Sequence, residues 1–186
     1  LRHSSAASDV YKRQFLGSTN KIYHGIPTYI KSDMDKSRFG SILVDEIASS
    51  IIEAPKGRFF LDRIIYKGKT LLLKDFILPL SSDETKIGYT KEQINWAIQN
   101  EEYIWKYFIG NEFLFKTDDD LTDRFIIPAP FSKFYLEIDN ESPGKIGQWI
   151  GWQILRSFRK KNPSFKIADI LNLSSEELFK KANYKP

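Results

Sequence analysis

Phe39, Leu43, Ile47 and Ile51 recur every four residues, and this helical rhythm governs almost the whole chain. It predicts a helix near residues 36–53, ended by Ala54-Pro55-Lys56-Gly57, because proline and glycine punctuate regular structure. A second helix is expected from about Arg58 to Phe76, with Phe60, Ile64, Leu71 and Leu72 inward; Pro79 and the polar run Ser81 to Glu84 close it. Thr90 and Gln93 have the spacing of a capping box, in which each side chain bonds the other residue's free amide. They open a third helix striped by Ile94, Ile98, Trp105 and Phe108. Thr117 to Asp120 is an acidic break that caps a short helix through Arg124.

Ile127-Pro128-Ala129-Pro130 is neither regular helix nor central strand, since proline has no N–H to donate. Phe131 to Ile138 reads as extended, yet one strand makes no sheet. Ser142-Pro143 is expected to start a helix running to about Lys161, with serine as cap and proline in the first position. A last helix begins at Ser174, with Glu177 completing a capping box and Leu173 and Leu178 spaced as a hydrophobic staple. The expectation is a mostly α protein with one compact helical domain over 15–186.

Composition narrows the chemistry. With 186 residues and 41% apolar content, the chain can bury one sizeable core. It has no cysteine, so disulfides, thiol catalysis and cysteine-ligated zinc are excluded. It has two histidines, His3 and His24. Asp9-Val10-Tyr11-Lys12-Arg13-Gln14 is what one frame of a common sequencing adapter encodes, and residues 1–14 are read as an assembly artefact preceding a truncated domain. Setting them aside removes Arg2, Lys12, Arg13 and Asp9 and takes the formal charge from +4 to +2. A nucleic-acid partner then loses its main support. His24 remains, in a turn-like stretch with no Gly-x-Ser-x-Gly elbow to build a triad on. Phosphate-loop and dinucleotide fingerprints are absent.

The densest segment is Pro128 to Arg159. Gly147 and Gly151 share one helical face, where missing side chains let another helix approach; packing is the simpler reading and ligand approach the alternative. Trp149 and Trp152 flank that face. Asp139 and Glu141 could serve as the carboxylate pair of a carbohydrate-active hydrolase, or could simply favour the dipole of the helix that follows. Arg156, Arg159, Lys160 and Lys161 suit the last turns of that helix.

From Phe15 onward the chain resembles the gliding-motility lipoprotein GldB family of Bacteroidota. The matching pieces are Phe15-Leu16-Gly17, Ile26-Pro27-Thr28-Tyr29, Ile65 to Lys69, Ile87 to Gln93, and above all Pro128 to Tyr135 through Gly147 to Ile154, with the Tyr184-Lys185-Pro186 ending. The resemblance implies a cell-envelope protein tethered to the membrane by an N-terminal lipid anchor that this fragment lacks. It implies a role in gliding linked to type IX secretion, exercised through other envelope proteins, with no cofactor and no catalysis. Asp139, Glu141, Trp149, Trp152 and Arg156 are the candidate interaction surface. The family is also distantly similar to zinc peptidases with a His-Glu-x-x-His helix. That register places Asp45, Glu46 and Ser49 on the motif and Lys67 at the third ligand. Zinc wants imidazoles at the first and fifth positions, so the resemblance implies a degenerate scaffold with its metal ligands lost. The competing expectation is an enzyme, either a metal-dependent peptidase or a hydrolase using Asp139 and Glu141.

Overall fold

A computed structural model describes residues 17–186; the adapter-like segment and Phe15-Leu16 lie outside them. Ten α-helices follow in order: α1 Thr28–Lys31, α2 Phe39–Ile51, α3 Phe60–Ile77, α4 Asp83–Ile87, α5 Lys91–Gln99, α6 Glu101–Gly110, α7 Asp120–Phe125, α8 Ile146–Lys161, α9 Ile167–Asn172 and α10 Ser175–Ala182. No strand occurs among the described residues.

The long helices α3 and α8 form the central pair. Their contact is made by glycine. A Cβ on Gly68 would lie 2.5 Å from the Gly151 backbone, and one on Gly151 would overlap the Ile64 carbonyl oxygen. Gly147 sits 2.8 Å, by the same measure, from the Phe125 carbonyl oxygen. Packing is therefore what this glycine stripe does: it lets two backbones touch and offsets the helix propensity lost. Phe60, Ile64 and Leu72 of α3 and Trp149, Trp152, Leu155 and Phe158 of α8 fill the core around it. Phe60, Phe108, Phe113, Phe125 and Phe134 add a chain of tilted and edge-on ring contacts.

Both capping boxes form. Thr90 Oγ1 accepts from Gln93 N at 3.2 Å while Gln93 Oε1 accepts from Thr90 N at 2.9 Å. Ser174 Oγ and the Glu177 carboxylate reciprocate likewise. Three expectations fail, two through local side-chain hydrogen bonds and one through a cap delivered from a distant loop. The third helix breaks into α5 and α6 at Asn100, whose side-chain amide bonds the Trp96 carbonyl and competes with helix continuation. The break leaves Ile98 exposed. Phe131 to Ile138 is not a strand: the Asp139 carboxylate accepts from the backbone N–H of Phe134, Tyr135 and Leu136, coiling the chain and holding Tyr135 at φ 62°. Helix α8 starts at Ile146, because Ser142 is spent elsewhere. Its hydroxyl bonds the Ser132 backbone, and the N–H of Ile146 donates instead to Ser132 Oγ, 14 residues upstream.

Helix α2 shows the largest departure from a simple amphipathic reading. Its buried face carries the small side chains Ser41, Val44 and Ala48, packed with Ile52 on Leu73 of α3. The larger stripe of Phe39, Leu43, Ile47 and Ile51 faces outward, 40–60% exposed.

Candidate functional site

A cleft of about 210 Å³ opens between α2, α3 and the N-terminus of α8. Helix α2 contributes Asp45 and Ser49, and α3 contributes Tyr66, Lys67, Thr70 and Lys74. Lys145 and Gln148 come from the start of α8, with Asp33, Arg38, Ile87 and Pro128 closing the rim. Lys67 and Lys74 lie seven residues apart, two helical turns, and so point to the same side of α3.

The charges pair unequally. Lys74 Nζ sits 2.7 Å from Asp45 Oδ1 and donates to the Lys86 carbonyl at 2.9 Å. Burial pushes its pKa down, and Asp45 opposes that only in part. Arg38 holds Asp33 at 2.9 Å and also bonds Ser41 Oγ and the Thr85 carbonyl. Lys145 Nζ donates to the Ile87 carbonyl at 2.9 Å and lies 5.6 Å from the Tyr89 ring centre, with no carboxylate in salt-bridge reach among the described residues. Burial lowers its pKa to about 8, with Asp33 and Asp45 opposing the shift and Arg38 and Lys74 adding to it. Lys67 likewise has no carboxylate in reach among the described residues; its ammonium lies 5.7 Å from the Tyr66 ring centre.

The zinc-peptidase register can be set against this geometry. Asp45, Ser49 and Lys67 do line one cleft, whereas Glu46 is exposed outside it. They do not suit zinc. Asp45 is engaged by an ammonium, Ser49 Oγ donates to the Glu46 carbonyl at 2.7 Å, and Lys67 would repel a cation. Among the described residues, no group of three or more His, Cys, Asp or Glu side chains converges to hold a metal ion.

The expected interaction surface is dispersed. Trp149 and Trp152 are 2% and 0% exposed, edge to face with each other. Their indole N–H groups donate to Glu101 and Asp75 at 3.2 and 2.9 Å. Both are core residues, which removes them from any contact surface in this fold. Arg156 is locked by Asp75 and Asp83, with all four hydrogen bonds between 2.7 and 2.9 Å, and stacks 3.7 Å from the Trp152 ring centre. Asp139 is occupied by three backbone amides, which fits neither a contact residue nor a free catalytic carboxylate. Glu141 alone of the five is open to solvent. His24 is exposed at the end of a short 3₁₀ turn.

Sequence reasoning missed two features. The cations Arg38, Lys74 and Lys145 come from separate segments, and only the seven-residue spacing of Lys67 and Lys74 signalled a shared face. The α2 stripe is legible in the sequence, but nothing local tells which side of the helix is covered. Among the described residues, no helix is long and apolar enough to cross a membrane.

Comparison with known proteins places the chain. No curated protein and no solved structure matches it. A family model described as gliding motility protein GldB matches residues 10–186, starting inside the adapter-like segment and running through the glycine–tryptophan helix α8. The chain belongs to the GldB family of gliding motility lipoproteins.

Proposed function

We propose that this protein is a non-enzymatic component of the cell envelope that serves gliding motility and the linked type IX secretion machinery by binding other envelope proteins. A lipid anchor upstream of the described residues would tether it, with the helical domain facing the periplasm. The observation that carries the reading is the outward stripe of Phe39, Leu43, Ile47 and Ile51. It runs about 18 Å along α2 at the helical rise of 1.5 Å per residue. Continuous exposed apolar surface of this kind marks contact with another molecule. A second apolar groove, between Tyr103 on α6 and Leu136 and Ile138 in the coiled segment, supports the same reading. The Asp45–Lys74 pair supports the absence of zinc chemistry, because a tethered ammonium already neutralises the carboxylate.

The test is a strain carrying Leu43→Asp and Ile47→Asp together. Both side chains are exposed, so the melting temperature should move by no more than about 2 °C, as for surface changes generally. Colony spreading and co-purification of envelope partners should both be lost. Normal spreading by this strain would sink the contact role of α2. Zinc titration of the purified protein gives a separate check: stoichiometric, tight binding would overturn the non-enzymatic reading.

A further inference from the structure

We propose that the cleft between α2, α3 and α8 binds a dianionic oxyanion of the phosphate type, with Lys145 and Lys67 as its main donors. The charge balance is the first ground. Arg38, Lys67, Lys74 and Lys145 line the cleft against two carboxylates, Asp33 and Asp45. Each carboxylate is taken by one cation, through Arg38 and Lys74. Two positive charges are left over, and one dianionic group neutralises both.

The placement of Lys145 is the second ground. It combines three features that folding alone disfavours. Its backbone stands at φ 62°, a left-handed conformation that costs a side-chain-bearing residue free energy. It is the N-cap residue of the 16-residue helix α8, whose dipole disfavours a nearby cation. It is also desolvated beside Arg38 and Lys74. Glycine would relieve all three at once. An ammonium offers three donors, and Lys145 uses one, on the Ile87 carbonyl. An anion in the cleft offsets the two electrostatic costs: it accepts the remaining donors, answers the helix dipole and restores the charge balance.

Size is the third ground. A cleft of about 210 Å³ has room for a phosphate group and a few attached atoms. Gln148, one turn into α8, adds a polar side chain to the wall, held by the Ile126 carbonyl at 2.6 Å. The site requires neither turnover nor a protein partner, so its fate is independent of the contact role of α2.

The experiment is thermal melting and calorimetric titration of the full chain with sodium phosphate, against sodium chloride and sodium acetate at matched ionic strength. Saturable stabilisation by phosphate alone is expected. Glycerol 3-phosphate forms a second arm: binding shows that the phosphate group is accepted when carried on a small alcohol, and failure confines the site to the free ion. Lys145→Gly should melt at the same or a higher temperature and bind phosphate at least about tenfold more weakly, as loss of one charge-assisted donor requires. Lys67→Gln, at a partly exposed position, should weaken binding similarly and leave melting unchanged. An equal response to chloride or acetate, or undiminished phosphate binding by Lys145→Gly, would overturn the site.

Discussion

Two residues show how much a single position can carry. Gly151 touches the backbone of α3 with no room for one more carbon. Neither backbone can yield without moving the central helix pair, so Gly151→Ala should cost about 3 kcal/mol or more, the upper range for overpacking. Urea denaturation would measure it, and a loss below about 1 kcal/mol would show that the pair slides apart easily. Lys145 is legible only in three dimensions. Its pKa falls from 10.5 unfolded to about 8 folded, so between those values the unfolded chain holds more protons. This residue's contribution to stability therefore rises as pH climbs from about 8 towards 10.5, while Asp33, Arg38, Asp45 and Lys74 keep facing it. The melting temperature of Lys145→Gly should lack that rise. In the sequence, a lysine between Gly144 and Ile146 carries no mark of burial; Gly147 and Gly151, four apart in an apolar helix, did announce a close contact.

At the scale of elements, a helix end satisfied by reciprocal side chains of its own neighbours is legible in the sequence at two places. The boxes at Thr90 and Ser174 involve side chains three residues apart, and both form as the sequence predicts. Ser174→Ala should cost about 1 kcal/mol, the usual worth of an N-cap, and fray α10, which packs on α8 through Leu178 and Ala182. Loss of amide protection confined to α10 would be the signature in hydrogen exchange. The start of α8 was misplaced for the opposite reason: its cap is Ser132, delivered by a loop. Phe131 to Ile138 alternates suitably for a strand, but no neighbouring strand exists among the described residues, and one carboxylate collects three of its amides. Helix α2 makes the same point at the surface. Periodicity defined two faces, and only packing on Leu73 decided that the small-residue face would be buried.

For the whole molecule, an ionic centre ties distant elements together. Asp75 on α3 accepts from Lys86 on α4 and from Trp152 and Arg156 on α8, and Arg156 reaches on to Asp83. Burial raises the Asp75 pKa, but the hydrogen bonds from Arg156, Lys86 and Trp152 and the charge of Arg156 together outweigh it, and the net shift is downward. A carboxylate depressed on folding contributes stability above its unfolded value of 3.8, and that contribution fades as pH falls through the lower folded value. Asp75→Asn should cost about 3 kcal/mol at neutral pH, since it leaves the buried Lys86 without its carboxylate and Arg156 with Asp83 alone, and should flatten the acid limb of the stability curve. An unchanged acid limb would remove Asp75 from that role. Asp75, the Asp83–Lys86 turn and the Trp152–Arg156 turn lie on three separate helices and meet only through the fold. The helical class, the two capping boxes, the glycine contact and the family are all legible in the amino-acid order, because each rests on residues a few positions apart or on a long continuous motif. Helix packing alone sets which α2 face is exposed, that Trp149 and Trp152 belong to the interior, that Arg156 is locked by Asp75 and Asp83, and that four cations share one cleft. Those outcomes depend on which surfaces are removed from water together, and that is a property of the assembled helices rather than of any one of them.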